Sequence, residues 1–355
     1  MTSWQILIYF FRLGLTGFGG PLALIAQIQR DLVDERKIID RQEFINSLSL
    51  IKSLPGPVAN QVVAFWSYRL AGPWVALLAA ILFILPAFLM MVALAIFYDQ
   101  FRASPELISL MDGFQAGAFV LIVVALYTLT KGYYGHPRFW IAFIFSLIAM
   151  FFFHLNEPIA IVGSGLISAL WQKKCFNRLH SIVVLDLFWL CLKAGALAFG
   201  TGFAILPLLQ RDFVDYNHWI TKQQFLDAIA FGQLTPGPVS VTVTFIGYRV
   251  AGIWGALLAT IGIYLPGTLN MLTWFPRAYQ WFSRQQWVER FVLGATAAIG
   301  AGIIVALSAL RESLALPSLI VPIILFLISL RRKMPSWVLV VYSGVGWWLV
   351  SRVLH

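Results

Sequence analysis

Long uncharged runs alternate with short polar stretches along the chain. Residues 74–98, 114–130, 139–153 and 337–350 hold almost no charge. Most of them reach or approach the ~20 residues that a helix needs to cross a bilayer core. About ten such segments occur in the chain. A water-soluble fold would have to bury all of them as core helices, and the charge content is too low to coat such a core. The pattern predicts an all-α integral membrane protein.

The pattern also repeats. At an offset of 181 residues, Arg30-Asp31-Leu32-Val33-Asp34 falls on Arg211-Asp212-Phe213-Val214-Asp215. Phe44 falls on Phe225, and Pro55-Gly56-Pro57-Val58 falls on Pro236-Gly237-Pro238-Val239. One residue is then lost. At an offset of 180, Tyr68-Arg69-Leu70-Ala71-Gly72 matches Tyr248-Arg249-Val250-Ala251-Gly252. Shared hydrophobicity would align leucines, but it would not align Arg-Asp, Pro-Gly-Pro and Tyr-Arg. The chain therefore divides into two homologous transmembrane repeats, residues 1–176 and 177–355.

Each repeat opens on an apolar segment with a glycine-rich break, Phe18-Gly19-Gly20-Pro21 and Phe199-Gly200-Thr201-Gly202. A polar loop follows, then two short helical pieces on either side of Pro-Gly-Pro. In the first repeat these cover residues 44–54 and 58–70, about 16 and 20 Å as helix, too short to span singly. Proline removes a backbone donor and clashes with the preceding turn, and glycine loosens the chain. The pair is either a re-entrant hairpin or one kinked span. A hairpin leaves about five full spans per repeat, and an odd number inverts the second repeat relative to the first. With Lys173, Lys174 and Arg178 in the cytoplasm, the hairpin count puts Lys131, Arg138, Arg277, Arg284, Arg290 and residues 331–333 on the same side. Residues 154–157 and 311–313 and both termini then fall outside. That agrees with the positive-inside rule. The kinked-span count gives six plus six parallel spans and moves the basic loops of the first repeat to the other face.

Composition sharpens this picture. Hydrophobic residues make up 60% of the chain and charged ones 11%, with a mean hydropathy of +0.83. The net charge of +10 sits mainly in short loops between apolar runs, a topology signal and not a nucleic-acid surface. Cys175 and Cys191 have no metal or disulfide spacing, and the five histidines are scattered, so no cofactor or metal is expected. The first segment lacks a basic leader and a small-residue cleavage site, and reads as a retained helix.

Broken helices at matching positions of two repeats point to a transport site. A helix that restarts after a break aims free N–H groups, and about half a positive charge, back at the break. Gly56-Pro57-Val58 and Gly237-Pro238-Val239 would each aim such donors at a shared cavity, and the two first-segment breaks could add more. Lys52, beside Pro55, is expensive inside a bilayer unless it faces a cavity or partner. Its counterpart is Gln233, so the repeats are not chemically equal. Asn46, Ser49 and Ser53 share a polar face near Lys52. Asn60 and Gln61 follow the first break, and Ser240, Thr242 and Thr244 the second, as amide and hydroxyl donors. Arg69 and Arg249 read equally as guanidinium groups on an anion path or as interfacial arginines. Arg12 and Lys193 are secondary candidates, taken as out of register with each other. Asp31/Asp34 and Asp212/Asp215 could share a metal in lipid-pyrophosphate chemistry. With Arg30 and Arg211 beside them, they read better as an ion-paired latch or gate. Glu43, Asp112 or Asp227 could carry a coupling proton, and nothing in the sequence selects one.

Phe18-Gly19-Gly20-Pro21, Leu54-Pro55-Gly56-Pro57, and Tyr-Arg-x-Ala-Gly at 68–72 and 248–252 together resemble the chromate ion transporter family in its two-domain form. The resemblance spans nearly the whole chain. It implies a bacterial inner-membrane protein that expels chromate, with sulfate as a competing anion and membrane lipids as surroundings. Thr201-Gly202 in place of Gly20-Pro21 departs from the pattern. The absence of a Walker phosphate loop argues for secondary transport by alternating access. A sulfate or other oxyanion importer or exchanger, an anion channel, and a membrane enzyme are the alternatives. Two-fold self-association is the default for an oligomer.

Overall fold

The computed structural model describes residues 1–52, 54–153, 183–198, 202–282, 286–314, 316–331 and 335–354. Ser53, Phe199, Gly200, Thr201 and the loop cations Lys173, Lys174, Arg178, Arg284, Arg332 and Lys333 lie outside these residues, as do residues 154–157. The first repeat contains α1 (Ser3–Thr16), α2 (Gly20–Ile28), α3 (Arg41–Lys52), α4 (Val58–Ala71), α5 (Pro73–Ala103), α6 (Pro105–Thr130) and α7 (Pro137–Phe153). The second contains α8 (Val183–Ala196), α9 (Leu206–Leu209), α10 (Lys222–Leu234), α11 (Thr242–Leu272), α12 (Phe275–Phe282), α13 (Gln286–Leu310), α14 (Ile320–Arg331) and α15 (Ser336–Leu354). No strand occurs among the described residues.

Local chemistry sets these boundaries, and it does so twice. Thr2 and Gln5 form a capping box that starts α1, and Thr221 and Gln224 form another that starts α10. α1 stops at Gly17, and Gly19 at φ 108° turns the chain before Pro21 restarts it as α2. Both Arg-Asp-x-Val-Asp motifs fold as π-helical turns, Gln29–Glu35 and Gln210–Tyr216. π turns concentrate at functional positions. Gly72 at φ 86° separates α4 from α5, and Gly252 at φ 61° kinks α11 at the matching place. α11 is thus two helices joined end to end.

Glycines let the repeats pack closely. A Cβ on Gly14 of α1 would lie 2.2 Å from the Phe83 carbonyl oxygen of α5, and one on Gly195 of α8 would lie 2.3 Å from the Ile263 carbonyl oxygen of α11. These are equivalent contacts in the two repeats. Small residues at such crossings are how membrane helices approach without a water-driven hydrophobic force. Across the repeats, a Cβ on Gly113 of α6 would lie 2.6 Å from the Ser343 carbonyl oxygen of α15, so the last helix of the second repeat clasps the first. Trp4, Trp74, Ile141, Trp189 and Trp254 point outward from this core.

Pro73–Gln100, Leu107–Tyr133 and Val239–Leu272 are long and apolar enough to cross a membrane. Pro137–Ile148, Thr296–Leu310 and Pro317–Ile328 are shorter apolar helices. α1 is shorter than its apolar run predicts because a glycine break divides the run: it has 14 residues before Gly17.

The two short helices of the first repeat lie side by side. Arg69, near the end of α4, donates to Glu43, near the start of α3, at 2.5 Å. Phe44 and Trp66 stack at 6.0 Å. In the second repeat a Cβ on Gly232 of α10 would lie 2.4 Å from the Thr242 hydroxyl of α11. At the far end of α11's first half, Arg249 donates to Asp99 at 3.0 Å. Asp99 lies near the end of α5, whereas Arg69 lies just before its start. The two arginines are therefore separated by most of α5, about 40 Å along its axis.

Candidate functional site

Each Pro-Gly-Pro break is held by the other repeat. The Gly56 N–H donates to the Ala198 carbonyl at 2.6 Å, and the Gly237 N–H donates to the Gly17 carbonyl at 2.9 Å. Gly56 has φ 134° and Gly237 φ 102°, which disfavours any residue with a Cβ. A Cβ on Gly56 would also lie 2.6 Å from the Gly267 Cα, and one on Gly237 would lie 3.2 Å from the Ala87 Cβ. Residues 87 and 267 are one register position in two repeats. The exchange is therefore reciprocal: each break is anchored on the first-helix end and on the long helix of its counterpart. Gly20 joins the same neighbourhood, since a Cβ there would lie 3.7 Å from Val239.

These anchors correct part of the sequence reading. The N–H groups of Gly56 and Gly237 already have carbonyl partners, and Pro57 and Pro238 have none to give. The donors at the breaks are those of the following turns. No side chain caps α4 or the turn Val239–Val241. Val58, Ala59, Asn60, Val239 and Ser240 are all buried. Uncapped helix starts inside a protein are anion-binding positions.

The amide and hydroxyl donors after the breaks are also committed. Asn60 donates to the Thr268 hydroxyl at 2.9 Å, and Gln61 folds back to donate to the Pro55 carbonyl at 2.7 Å. Ser240 donates to the Tyr264 hydroxyl at 2.8 Å, Thr242 to the Val239 carbonyl at 2.8 Å, and Thr244 shares a 2.7 Å bond with Thr260. Gln61 and Thr242 fix the broken backbone, and Asn60, Ser240 and Thr244 tie the helix starts to hydroxyls of α11. Sequence reasoning saw donors of the right type but not their partners, which lie up to 208 residues away. The Asn60 Oδ1 and Gln61 Oε1 acceptors and the Gln233 Nε2 donor remain buried without a protein partner.

Lys52 ends α3 at the first break. It is half-buried and has no ion pair among the described residues. Gln233, at the matching position, is buried. Asn46 and Ser49 are exposed, bonded to Gln42 and to the Ile45 carbonyl. Phe18 is exposed and packs its ring 5.6 Å from Trp337.

Arg69 and Arg249 are not brought to the breaks. They sit at the far ends of the short helices, paired with Glu43 and Asp99, and Arg249 lies 5.0 Å over the Tyr98 ring. The aspartates of the two π turns separate in role. Asp31 accepts from Tyr9 at 3.1 Å and from Arg30 at 3.2 Å, while Asp34 is exposed. Asp212 is buried and paired with Lys193, while Asp215 is exposed. Desolvation holds the Asp215 carboxyl above the ordinary range, with Lys222, His218 and Arg211 pulling it back. The two carboxylates of each motif do not converge on one point. Among the described residues no group of three His, Cys, Asp or Glu could hold a metal.

Arg12 and Lys193 occupy one register position at the 181-residue offset, contrary to the sequence reading. Lys193 reaches the π turn of its own repeat, whereas in the first repeat Tyr9 takes the corresponding carboxylate. Breaking a pair by removing one partner of a buried charge costs about 3–5 kcal/mol. Lys193→Ala, which strands Asp212, is expected near the lower end because Lys193 is 36% exposed. Asp212→Asn removes the buried charge and should cost less. Thermal unfolding of detergent-solubilised protein checks the order, and equal losses would contradict it.

A cavity of about 470 Å³ lies between α5, α6 and α10, lined by Met90, Leu94, Met111, Phe114, Phe231 and Thr235. Its walls are apolar and suit an acyl chain, not an anion.

Duplicated helical repeats, apolar spans and paired helix breaks define a membrane transporter. The chain belongs to the chromate transporter family, which matches residues 4–169 and 185–348. It is 32% identical to the chromate transport protein of Cupriavidus metallidurans over 99% of this chain and 93% of that one. It is 28% identical to the chromate transport protein of Pseudomonas aeruginosa over 98% of this chain and 92% of that one. The uncharacterized transporter YwrA of Bacillus subtilis matches 48% of this chain over 97% of its own length, at 28% identity. One whole relative thus equals about one repeat. No solved structure matches the chain.

Proposed function

We propose that this protein exports chromate across the bacterial inner membrane as a secondary transporter. The observation that carries this reading is the reciprocal anchoring of the two Pro-Gly-Pro breaks, Gly56 on Ala198 and Gly237 on Gly17. It makes the breaks one shared unit, with uncapped helix starts, Lys52 and Gln233 as the donors for an oxyanion. Sulfate, of the same shape, competes.

The short helices form re-entrant hairpins, a reading supported by the Glu43–Arg69 bond and the Phe44–Trp66 stack. The repeats are inverted. Arg69 and Arg249 are register partners, yet they lie at opposite ends of α5. Parallel repeats would put them on one face. Inversion lets the two units, 1–176 and 177–355, rock about the shared breaks and open to each side in turn. Single cysteines at Arg69 and Arg249 test this: an impermeant thiol reagent should label one from each side of the membrane. Labelling of both from one side would rule inversion out.

Export needs no nucleotide. Moving a dianion out of a negative-inside cell gains ~2.3 kcal/mol per charge per 100 mV, roughly 4.6 kcal/mol in all. The deciding experiment is chromate flux into and out of proteoliposomes at a set membrane potential. Saturable, potential-driven flux that sulfate competes with is the expected result. Flux without saturation would mean a channel, and no flux of either anion would remove the oxyanion reading.

A further inference from the structure

A carboxylate lies wholly buried about two helical turns from the second break. Asp227 of α10 is 0% exposed. It accepts from the Tyr98 hydroxyl of α5 at 2.6 Å and from the Gln115 amide of α6 at 2.7 Å. The acid comes from the second repeat and both donors come from the first. Helix packing alone gives no reason for a carboxylate there: Ala230, Phe231 and Leu234, on the turns that follow, are apolar. The first repeat shows as much: its residue at the Asp227 register is Asn46, which is exposed and bonded to Gln42. The packing around Tyr98 is matched, since Tyr98 lies 5.2 Å from Phe245 and Tyr279 lies 5.7 Å from Phe65. The acid and its amide donor are particular to one arrangement, since Gln115 falls on Thr296 at the 181-residue offset.

A row of contacts, not a continuous hydrogen-bond chain, joins the surface to this acid. Asp99 is 74% exposed and pairs with Arg249. Arg249 covers the Tyr98 ring, and the Tyr98 hydroxyl bonds Asp227. Other elements packed against α10 carry Asp112 on α6, Arg211, Asp212 and Asp215 on the π turn, and Tyr342 and Arg352 on α15; Lys222 starts α10 itself. Of these, Asp212 is already paired with Lys193.

We propose that Asp227 is the proton-binding residue of the transport cycle and that its protonation strengthens oxyanion binding at the neighbouring breaks. This rests on the oxyanion reading above. The ionised carboxylate has the sign of the substrate. Seven residues of helix separate Asp227 from Leu234 at the break, about 10 Å. At that range a full negative charge weakens binding of a multivalent anion by about tenfold or more. A proton taken up from solvent removes the repulsion, and the same proton is returned to solvent when the anion leaves. By linkage, anion binding raises the proton affinity of the acid by the same factor. One proton and one anion therefore move together, so the exported unit carries one net negative charge and gains half as much from the membrane potential as the bare dianion.

The test is radiolabelled chromate binding to the purified full-length protein and to Asp227→Asn, compared at each pH from acid to alkaline. Taking the ratio at each pH cancels the titration of chromate itself. The expected ratio is near one in acid and rises about tenfold in favour of Asp227→Asn in alkali. A flat ratio overturns the proposal. Chromate binding by neither protein at any pH overturns the oxyanion reading instead, and this one with it. Tyr98→Phe, which keeps the ring, should shift the midpoint of the pH dependence without abolishing it. A measurement on the unmodified protein guards against a misfolded variant. In weakly buffered alkaline solution, where free chromate holds no proton, chromate addition should draw protons from the medium. No uptake overturns the proposal.

Discussion

Lys52→Gln weakens chromate binding by about ten- to a hundredfold while leaving the protein as stable as before, or more so. Lys52 is half-buried at the first break and has no ion pair among the described residues. A hydrogen bond to a charged group contributes about 1.5–3 kcal/mol, which sets the size of the loss. An ammonium in that position is itself unfavourable until an anion arrives, so its removal relieves the empty protein. The substitution also places in the first repeat what the second already has, Gln233. Binding measured alongside thermal unfolding separates the two effects. Unchanged affinity would remove Lys52 from the site. A large loss of stability would make it a structural residue.

Gly56→Ala abolishes transport, and Gly237→Ala impairs it less. Both positions carry positive φ, a conformation that costs a residue with a Cβ about 1–3 kcal/mol. The difference lies in the surroundings. At position 56 the new Cβ meets the Gly267 backbone at 2.6 Å, which cannot yield without moving α11. At position 237 it meets only the Ala87 methyl at 3.2 Å. Overpacking adds about 1–3 kcal/mol at the first site, and displacement of Gly56 also loosens its bond to Ala198. Proteoliposome flux and expression level report the order. Equal effects would show that backbone conformation, not the contact between repeats, sets the requirement. Gly267→Ala pushes on the same contact from the other side, where a Cβ would lie 3.1 Å from the Gly56 Cα, and should be intermediate.

Much of the architecture was readable along the chain because it rests on local chemistry. Two prolines around a glycine break a helix by local geometry, and two copies of one break are visible as a repeat. Thr2 with Gln5 and Thr221 with Gln224 start helices through neighbours three residues away. The lysine beside the first break and the glutamine beside the second could be singled out by cost alone. Local rules fit the hairpin and the kinked span alike, and in the sequence only the placement of the basic loops favoured the hairpin. The Glu43–Arg69 bond is the long-range contact that supports the hairpin.

The nature of the site was another matter. Asn60, Gln61, Ser240 and Thr242 are the right residue types for an anion, yet Gln61 and Thr242 donate to backbone carbonyls at the breaks and Asn60 and Ser240 to hydroxyls of α11. Asp227 was one of three equal acids in the sequence and becomes distinctive only when Tyr98, 129 residues away, is found to bond it. What the sequence by itself determined was the membrane class, the duplication and the places where helices must break, because composition, periodicity and the covalent limits of proline and glycine act within a few residues. What only the tertiary structure decided was which freed backbone groups find partners and which stay open. In a low-dielectric interior every polar group seeks a partner, and that partner is chosen by packing between repeats and not by neighbours in the chain.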